Sequence, residues 1–456
     1  MGSIRKDISV IIVGAGFGGL ASSIELTRKG YKTHVFEYSP DLTRQGDVIM
    51  IGSNATRIIA KWGNVLEEMM KIKSQPDFLT IQDKNGKVLM EQPLPKEFDG
   101  FPNIYTSRTL VQNMMYEHAV KIGVEFTFNA RVTEYFEEGE TAGIVHNGQK
   151  YTADFVISAD GVHSKGRAYV TGVADRAKKS GFAVYRSWFP LSRLLDNPLT
   201  KYMAESKTDL FAIWICEDTH AILTTNVNLQ SCTCFATHKD YSDIEESWHL
   251  KGDVKEMVKT VEGWDPKLVQ LIKSIPEDGL IDHKLLWRDP VRKWVSDKGR
   301  VCVVGDAAHP HLPTSGTGGA SAIEDGATIA TLVDKAGKGD IPLALRSYQA
   351  LRYERTALTQ RMGWETRHRW HQTDWEEVAK NPAFLKLPQP AWLNGYDAEQ
   401  YALDNYAAVT EHVLKGTPFQ STNIPEGHVH TDWTIATMMA AEGEKAEEGF
   451  YVVGNE

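Results

Sequence analysis

Gly14, Gly16 and Gly19 stand at the spacing GxGxxG directly behind the apolar run Ile8–Val13, and a helical pattern follows from about Gly18 to Lys29. In that context the three glycines act differently. Gly14 makes the turn, Gly16 lets the backbone approach a pyrophosphate, and Gly19 lets helix pack on strand. Glu37 lies 23 residues beyond Gly14, at the end of the next strand. A carboxylate there accepts hydrogen bonds from ribose hydroxyls and disfavours a 2′-phosphate. The glycines alone are a weak signal, but strand, turn, helix and acid together predict dinucleotide binding. A second turn, Gly305-Asp306-Ala307-Ala308-His309-Pro310, follows the apolar run Val301–Val304. Its aspartate emerges at a strand end, and Thr314–Ala320 then opens a helix whose first amides, around Gly319 and Ala320, carry partial positive charge. That charge suits the anionic edge of a reduced flavin, which favours FAD over NAD. An ordinary loop with a solvated aspartate is the alternative.

The elements that hold these turns are legible in outline. Residues 8–37 read as a βαβ unit ending at Thr33–Glu37, with Gly30 as the helix stop. Alternating segments at Phe78–Asp83 and Lys87–Glu91 flank Asn85-Gly86, a hairpin signal. A helix is expected near Thr109–Ile122 and strands at Glu125–Phe128, Gly143–His146 and Asp154–Ser158. Strand-like runs at Phe211–Cys216, Ala221–Val227 and Cys232–Thr237 predict a mostly antiparallel sheet, with one helical stretch near Asp253–Ile275. Helices are expected at Ala320–Ala336 and from about Pro342 to Thr373. The fold class is α/β: a Rossmann-like FAD-binding domain, an inserted, mostly antiparallel β-sheet substrate domain and a C-terminal helical region. The expected division assigns 1–76, 101–178 and 291–375 to the FAD-binding domain. It gives 77–100 to a β segment joining the substrate domain, 179–290 to that domain and 376–456 to the C-terminal region.

Bulk properties exclude several classes. The chain has 456 residues, 42% of them hydrophobic, and a formal net charge of −10 without a basic stripe, so a small-molecule ligand is expected and nucleic acid is not. Its four cysteines, Cys216, Cys232, Cys234 and Cys302, form no CxxC pair, and Cys232 and Cys234 share one face of a strand as small core residues. No metal is expected. The short polar start runs straight into a strand, and no stretch approaches the ~18 to 20 apolar residues of a membrane span, so a cytoplasmic protein is expected, monomer or homodimer.

Between the two turns lies Asp154-Phe155-Val156-Ile157-Ser158-Ala159-Asp160-Gly161-Val162-His163-Ser164, followed by Arg167. With it the chain resembles the single-component FAD-dependent aromatic monooxygenases, the group of para-hydroxybenzoate and salicylate hydroxylases, and is most similar to fungal members of secondary metabolism. The resemblance spans residues 8 to about 330. It implies that Asp160 organises the pyrophosphate region and the passing nicotinamide, that Asp306 holds the ribityl chain, and that Arg108 pairs with phosphate or ribityl oxygens. Relatives commonly carry a glutamine in the segment after Gly305-Asp306; Thr317 stands here, so backbone contacts are expected instead. No second dinucleotide fingerprint exists, as in the family, where NADPH or NADH reduces a mobile flavin in passing.

The resemblance further implies that O2 forms a flavin C4a-hydroperoxide that hydroxylates or epoxidises an electron-rich ring, phenolic or indole-type. Arg186, in the first strand region of the insertion, is the candidate to stabilise a phenolate or the developing alkoxide. Asp47 is a candidate proton donor, with a solvated loop residue equally open. Tyr185 is a third candidate, as hydrogen-bond partner, aromatic wall or plain core residue. His309 is expected to shape its loop, His368 and His371 to lie exposed on a helix, and the tryptophans from 364 to 392 to line a pocket or pack a helical layer. An oxidase or reductase on the same fold, or a salicylate-type hydroxylase of simple phenols, is the alternative. A halogenase lacks its Trp-x-Trp-x-Ile-Pro signature here, and a non-catalytic relative would have no need of Glu37, Asp160 and Asp306 together.

Overall fold

The computed structural model describes residues 7–42, 48–173, 177–240 and 250–440. Five parallel strands form the first layer, in the spatial order Val301–Val303, Phe155–Ser158, Ser9–Val13, Lys32–Phe36 and Glu125–Thr127. The first three of these strands are near-continuous apolar runs because both faces are covered: Ile12, Val156 and Val301 have no solvent exposure. The helix Phe17–Arg28 packs against the helix Gly318–Ala336. A Cβ on Gly326 would sit 2.6 Å from the Ser22 amide nitrogen, so this glycine sets how closely the two helices approach. The Gly14 and Gly305 turns therefore end at the same edge of one sheet.

A second sheet has seven strands, ordered Leu280–Trp287, Lys178–Pro190, Ser231–Lys239, Thr219–Asn226, Phe211–Cys216, Phe78–Asp83 and Val88–Pro93. All neighbours are antiparallel except Phe211–Cys216 beside Phe78–Asp83. Strand alternation splits its residues between two environments. Tyr185, Trp214, Leu223, Cys232, Cys234 and Ala236 face two helices, Val254–Thr260 and Pro266–Lys273, and form one core with them. Arg186, Ile213, Ile222, Thr224, Phe235 and Thr237 face the opposite way, onto a cavity. The single helix expected over Asp253–Ile275 is thus two. The break falls at Gly263, with φ of +76°, and the new helix restarts with Asp265 capping Lys267 N and Pro266 in its first turn.

Ile341–His371 is one helix of 31 residues; its Tyr348 hydroxyl donates to the Val303 carbonyl at 3.1 Å, and it packs on the strands Phe211–Cys216 and Thr219–Asn226. Ala398–Lys415 packs on it and on Gly318–Ala336, with Glu399 taking hydrogen bonds from Lys29 and Lys61. Among the described residues no helix is long and apolar enough to cross a membrane, and all four cysteines are free thiols.

Candidate active site

The edge of the parallel sheet, the inner face of the seven-stranded sheet and the long helix enclose a cavity of about 820 Å³. Gly14, Gly16, Glu37, Arg108, Asp160, Asp306 and Gly319 line it from one side, and Arg186 from the other. Gly14 has φ of +101°, and its N–H donates to the Phe36 carbonyl at 2.8 Å. A side chain at Gly14 would strike the Ala159 carbonyl, and one at Gly19 the Gly14 carbonyl, whereas a Cβ on Gly16 would meet no protein atom within 4 Å. Gly16 is the point where the backbone lies open to the cavity. Glu37 accepts from the Ala15 amide at 2.7 Å and the Ser39 amide at 2.8 Å. Those bonds aim its carboxylate along the turn, and each oxygen keeps further acceptor capacity.

The second and third motifs are tied to each other. Arg167, buried, donates to the Val162 carbonyl at 2.6 Å and reaches the Asp306 and Ala307 carbonyls at 3.4 and 3.5 Å. Asp160 turns its carboxylate inward, accepting from the Tyr135 hydroxyl at 2.9 Å, the Ser158 hydroxyl, and the Lys165 and Gly166 amides at 3.0 and 3.2 Å. Its bonds thus organise the loop and the start of the helix Lys165–Thr171. Asp306 is open to the cavity but ringed by protein beyond it. It loses water to the surrounding protein, which holds its carboxyl above the usual range against the smaller opposing pull of Arg108, His309, Arg288 and Arg167.

Sequence reasoning missed what holds the Asp306 turn. Asp325 accepts from the Gly305 amide at 2.9 Å, from His309 Nε2 at 2.6 Å and from Arg352 Nε at 2.9 Å. Glu324 beside it takes Arg352 at 2.5 Å, Arg355 at 2.9 and 3.1 Å, and Asn54. All four charged residues are at most 1% exposed. Burial opposes ionisation of Glu324, but Arg355 and Arg352 overcome it and hold the carboxyl below its usual range. The signal was present: two adjacent acids sit in the middle of a helix whose residues from Gly318 to Val333 carry no other charge, and such charges must be paired. His309 shapes this loop as expected.

On the sheet wall Arg186 lies over the Phe235 ring, 5.0 Å from its centroid. Tyr185 faces the other way, stacked on His238 at 4.1 Å within the helix-facing core, its hydroxyl pushed up by burial and by Asp282. Asp47 falls outside the described residues. Ala320 is buried and borders a smaller cleft beside the cavity, whereas Gly319 lines the cavity itself. Thr317, at the start of the 19-residue helix, is 8% exposed and its Oγ1 has no hydrogen-bond partner although it borders both spaces. A flavin dinucleotide fits this set: an open backbone at Gly16, the Glu37 carboxylate on the cavity wall, Asp306 and an unsatisfied hydroxyl at a helix start.

Contrary to expectation, His371 is 1% exposed and His368 only half-exposed, because the helix that carries them is covered by the seven-stranded sheet and the tail. His371 Nε2 and His220 Nδ1 are 2.8 Å apart. Trp364 and Trp370 line the cavity, while Trp375 is exposed. Burial lowers the His220 and His311 imidazoles to about 3 and holds His371 well down too. Each is therefore neutral in the fold but charged in the unfolded chain below its ordinary value. For His220 and His311 the stabilising effect is complete above that value, ~6.5, and is lost as pH falls toward 3, at up to ~1.4 kcal/mol per pH unit for each group. Urea midpoints should fall from pH 6.5 to 4.5 by more than in a His220→Phe protein; equal slopes would contradict the burial of a neutral His220.

Residues 7–361 match the FAD binding domain family. Asperlicin C monooxygenase of Petromyces alliaceus is 33% identical, over 91% of this chain and 93% of that protein. The crystal structure of FqzB superposes with a TM-score of 0.85 at 32% identity, covering 93% of this chain and 98% of that one. CtdE, crystallised with FAD and a substrate, gives 0.84 at 32% identity, covering 89% and 100%.

Proposed function

The chain belongs to the FAD-dependent monooxygenases built on this FAD-binding domain, and from that premise we propose that it uses NAD(P)H and O2 to hydroxylate or epoxidise an electron-rich aromatic, an indole-type or phenolic intermediate of secondary metabolism. FAD is the cofactor. When bound and reduced it supplies activation of O2 and an electrophilic oxygen atom. The observation that carries the reading is that the dinucleotide turns and the inner face of the inserted sheet share one cavity.

In this reading Gly16 and Arg108 hold the pyrophosphate side, Glu37 the ribose, Asp306 the ribityl chain, and the amides of Gly319 and Ala320 the electron-accepting edge of the flavin ring. Asp160 acts through its loop, and the same loop receives the nicotinamide. The inserted sheet is the substrate wall: Ile213, Ile222 and Phe235 below, Trp287, Trp364 and Trp433 around the end, all apolar surface that excludes water. Arg186 projects its charge from the middle of that wall, and it stabilises the oxyanion that develops on oxygen transfer. Tyr185 contributes through packing beneath Arg186, and Asp47 donates a proton to the opened epoxide.

An Arg186→Ala protein should retain its FAD and lose product formation by about 100-fold or more. Unchanged turnover would remove Arg186 from the site. Asp47→Asn should alter the product distribution at similar flavin reduction rates, and identical products would end its assignment as proton donor. Both are read by flavin absorbance and product chromatography.

A further inference from the structure

One polar cluster on the sheet wall has no part in the roles above. His220 and Ile222 point into the cavity from the strand Thr219–Asn226, beside Phe235 and Thr237 of the next strand. His220 Nδ1 is 2.8 Å from His371 Nε2 and 3.3 Å from Thr237 Oγ1. The Thr237 hydroxyl donates to the His220 carbonyl at 3.2 Å and accepts from the His220 amide at 2.9 Å. With its one proton so placed, its oxygen is an acceptor toward the ring. Of the two tautomers the pair allows, the one with the His220 proton on Nδ1 sets that proton between two acceptors, Thr237 Oγ1 and His371 Nε2, at the cost of an unpartnered His371 Nδ1, and it leaves His220 Nε2 bare. Nε2 is then the one ring nitrogen available to the cavity, set among Ile222, Phe235 and Trp370, where an acceptor without a partner is costly.

Resting on the proposed indole-type or phenolic substrate, we infer that His220 accepts the hydrogen bond of the substrate's own ring N–H or O–H, held in the accepting tautomer by His371 and Thr237. The electron-rich aromatics of the proposed reaction carry such a group, and a hydrogen bond from it to a neutral base raises ring electron density as oxygen attacks. Burial first, and then the charged and titratable groups facing the pair, keep it neutral. Arg367 stands beside both imidazoles, its guanidinium within 5.2 Å of the ring centroids of Phe182, Trp287 and Trp364, and His368 adds to the effect at His371. His220 and His371 thus act as a hydrogen-bonding pair rather than as a stored charge. His371 is a positioning residue.

The test compares 3-methylindole and 4-methylphenol with their N- and O-methylated counterparts, 1,3-dimethylindole and 4-methylanisole. Dissociation constants come from perturbation of the flavin absorbance of the holoenzyme, and kcat and KM from NADPH oxidation. Wild type should prefer the N–H or O–H probes by about tenfold. His220→Phe should erase that preference by weakening only those probes, and His220→Gln, whose amide oxygen accepts, should restore part of it. His371→Phe should reduce the preference with flavin content unchanged, and His371→Gln should recover it. A His220→Phe protein that keeps the preference, or weakens all four probes alike, would overturn the inference, as would a wild type without preference. A wild type that binds none of the four would remove the proposed substrate class and this inference with it.

Discussion

An Asp306→Ala protein is expected to purify nearly colourless, with FAD affinity reduced about 100-fold or more, while Asp306→Asn retains a substantial part of its flavin. Asp306 is the acid that the second turn delivers to the cavity; loss of water holds its carboxyl above the usual range, while Arg108, His309, Arg288 and Arg167 favour the ionised form. Hydrogen bonds to a charged acceptor contribute roughly 1.5–3 kcal/mol each, so loss of two bonds to a ribityl chain accounts for the expected drop. Alanine removes them without touching the buried cluster behind the turn, so the fold persists. The ratio of flavin to protein absorbance and reconstitution with added FAD measure the effect. Normal flavin content in Asp306→Ala would mean that the second turn does not hold the cofactor.

Arg352→Met is expected to be the most destabilising single change in the FAD-binding layer, by about 3–5 kcal/mol, because it leaves Glu324 and Asp325 buried with too little compensating charge. Arg352 contacts both acids and the Ser321 carbonyl, and it is fully buried. Asp325 also holds the Gly305 amide and His309, so the damage should reach the cofactor turn. The variant should show a lower urea midpoint and weaker FAD retention together. By contrast, Lys29→Met, which removes one of two lysines from the partly exposed Glu399, should cost about 1 kcal/mol or less. If Arg352→Met were no worse than Lys29→Met, the cluster would not be holding the turn.

The parts of this chain that are legible as sequence are those where backbone geometry dictates residue type. Gly14 and Gly19 behind a strand are readable because any side chain at either position would collide with the backbone of the turn or of the neighbouring strand end. Strand alternation in the insertion is readable too, and it separates Arg186 on the cavity from Tyr185 in the helix-facing core. What stays hidden depends on which element covers which. His371 ends a helix whose pattern shows no clean polar stripe, since sheet and tail bury it nearly all round, so a helix end rich in His and Arg suggests exposure where the fold has burial. His220 is one histidine in a strand, and its chemistry exists only because the end of a helix supplies His371, 151 residues later. Gly263 and Pro266 mark the break between two helices in plain letters, yet apolar spacing continues on both sides and masks it.

Whether one cavity joins FAD to an electron-rich aromatic for oxygen transfer is tested most directly by turnover of the purified holoenzyme under isotopically heavy dioxygen. NADPH or NADH is supplied with a panel of indoles and phenols, and products are weighed by mass spectrometry. At least one substrate should accelerate nicotinamide oxidation and gain a single heavy oxygen atom. Products that have only lost two hydrogen atoms, with all the heavy oxygen recovered as hydrogen peroxide, would contradict oxygen transfer and identify an oxidase on the same fold.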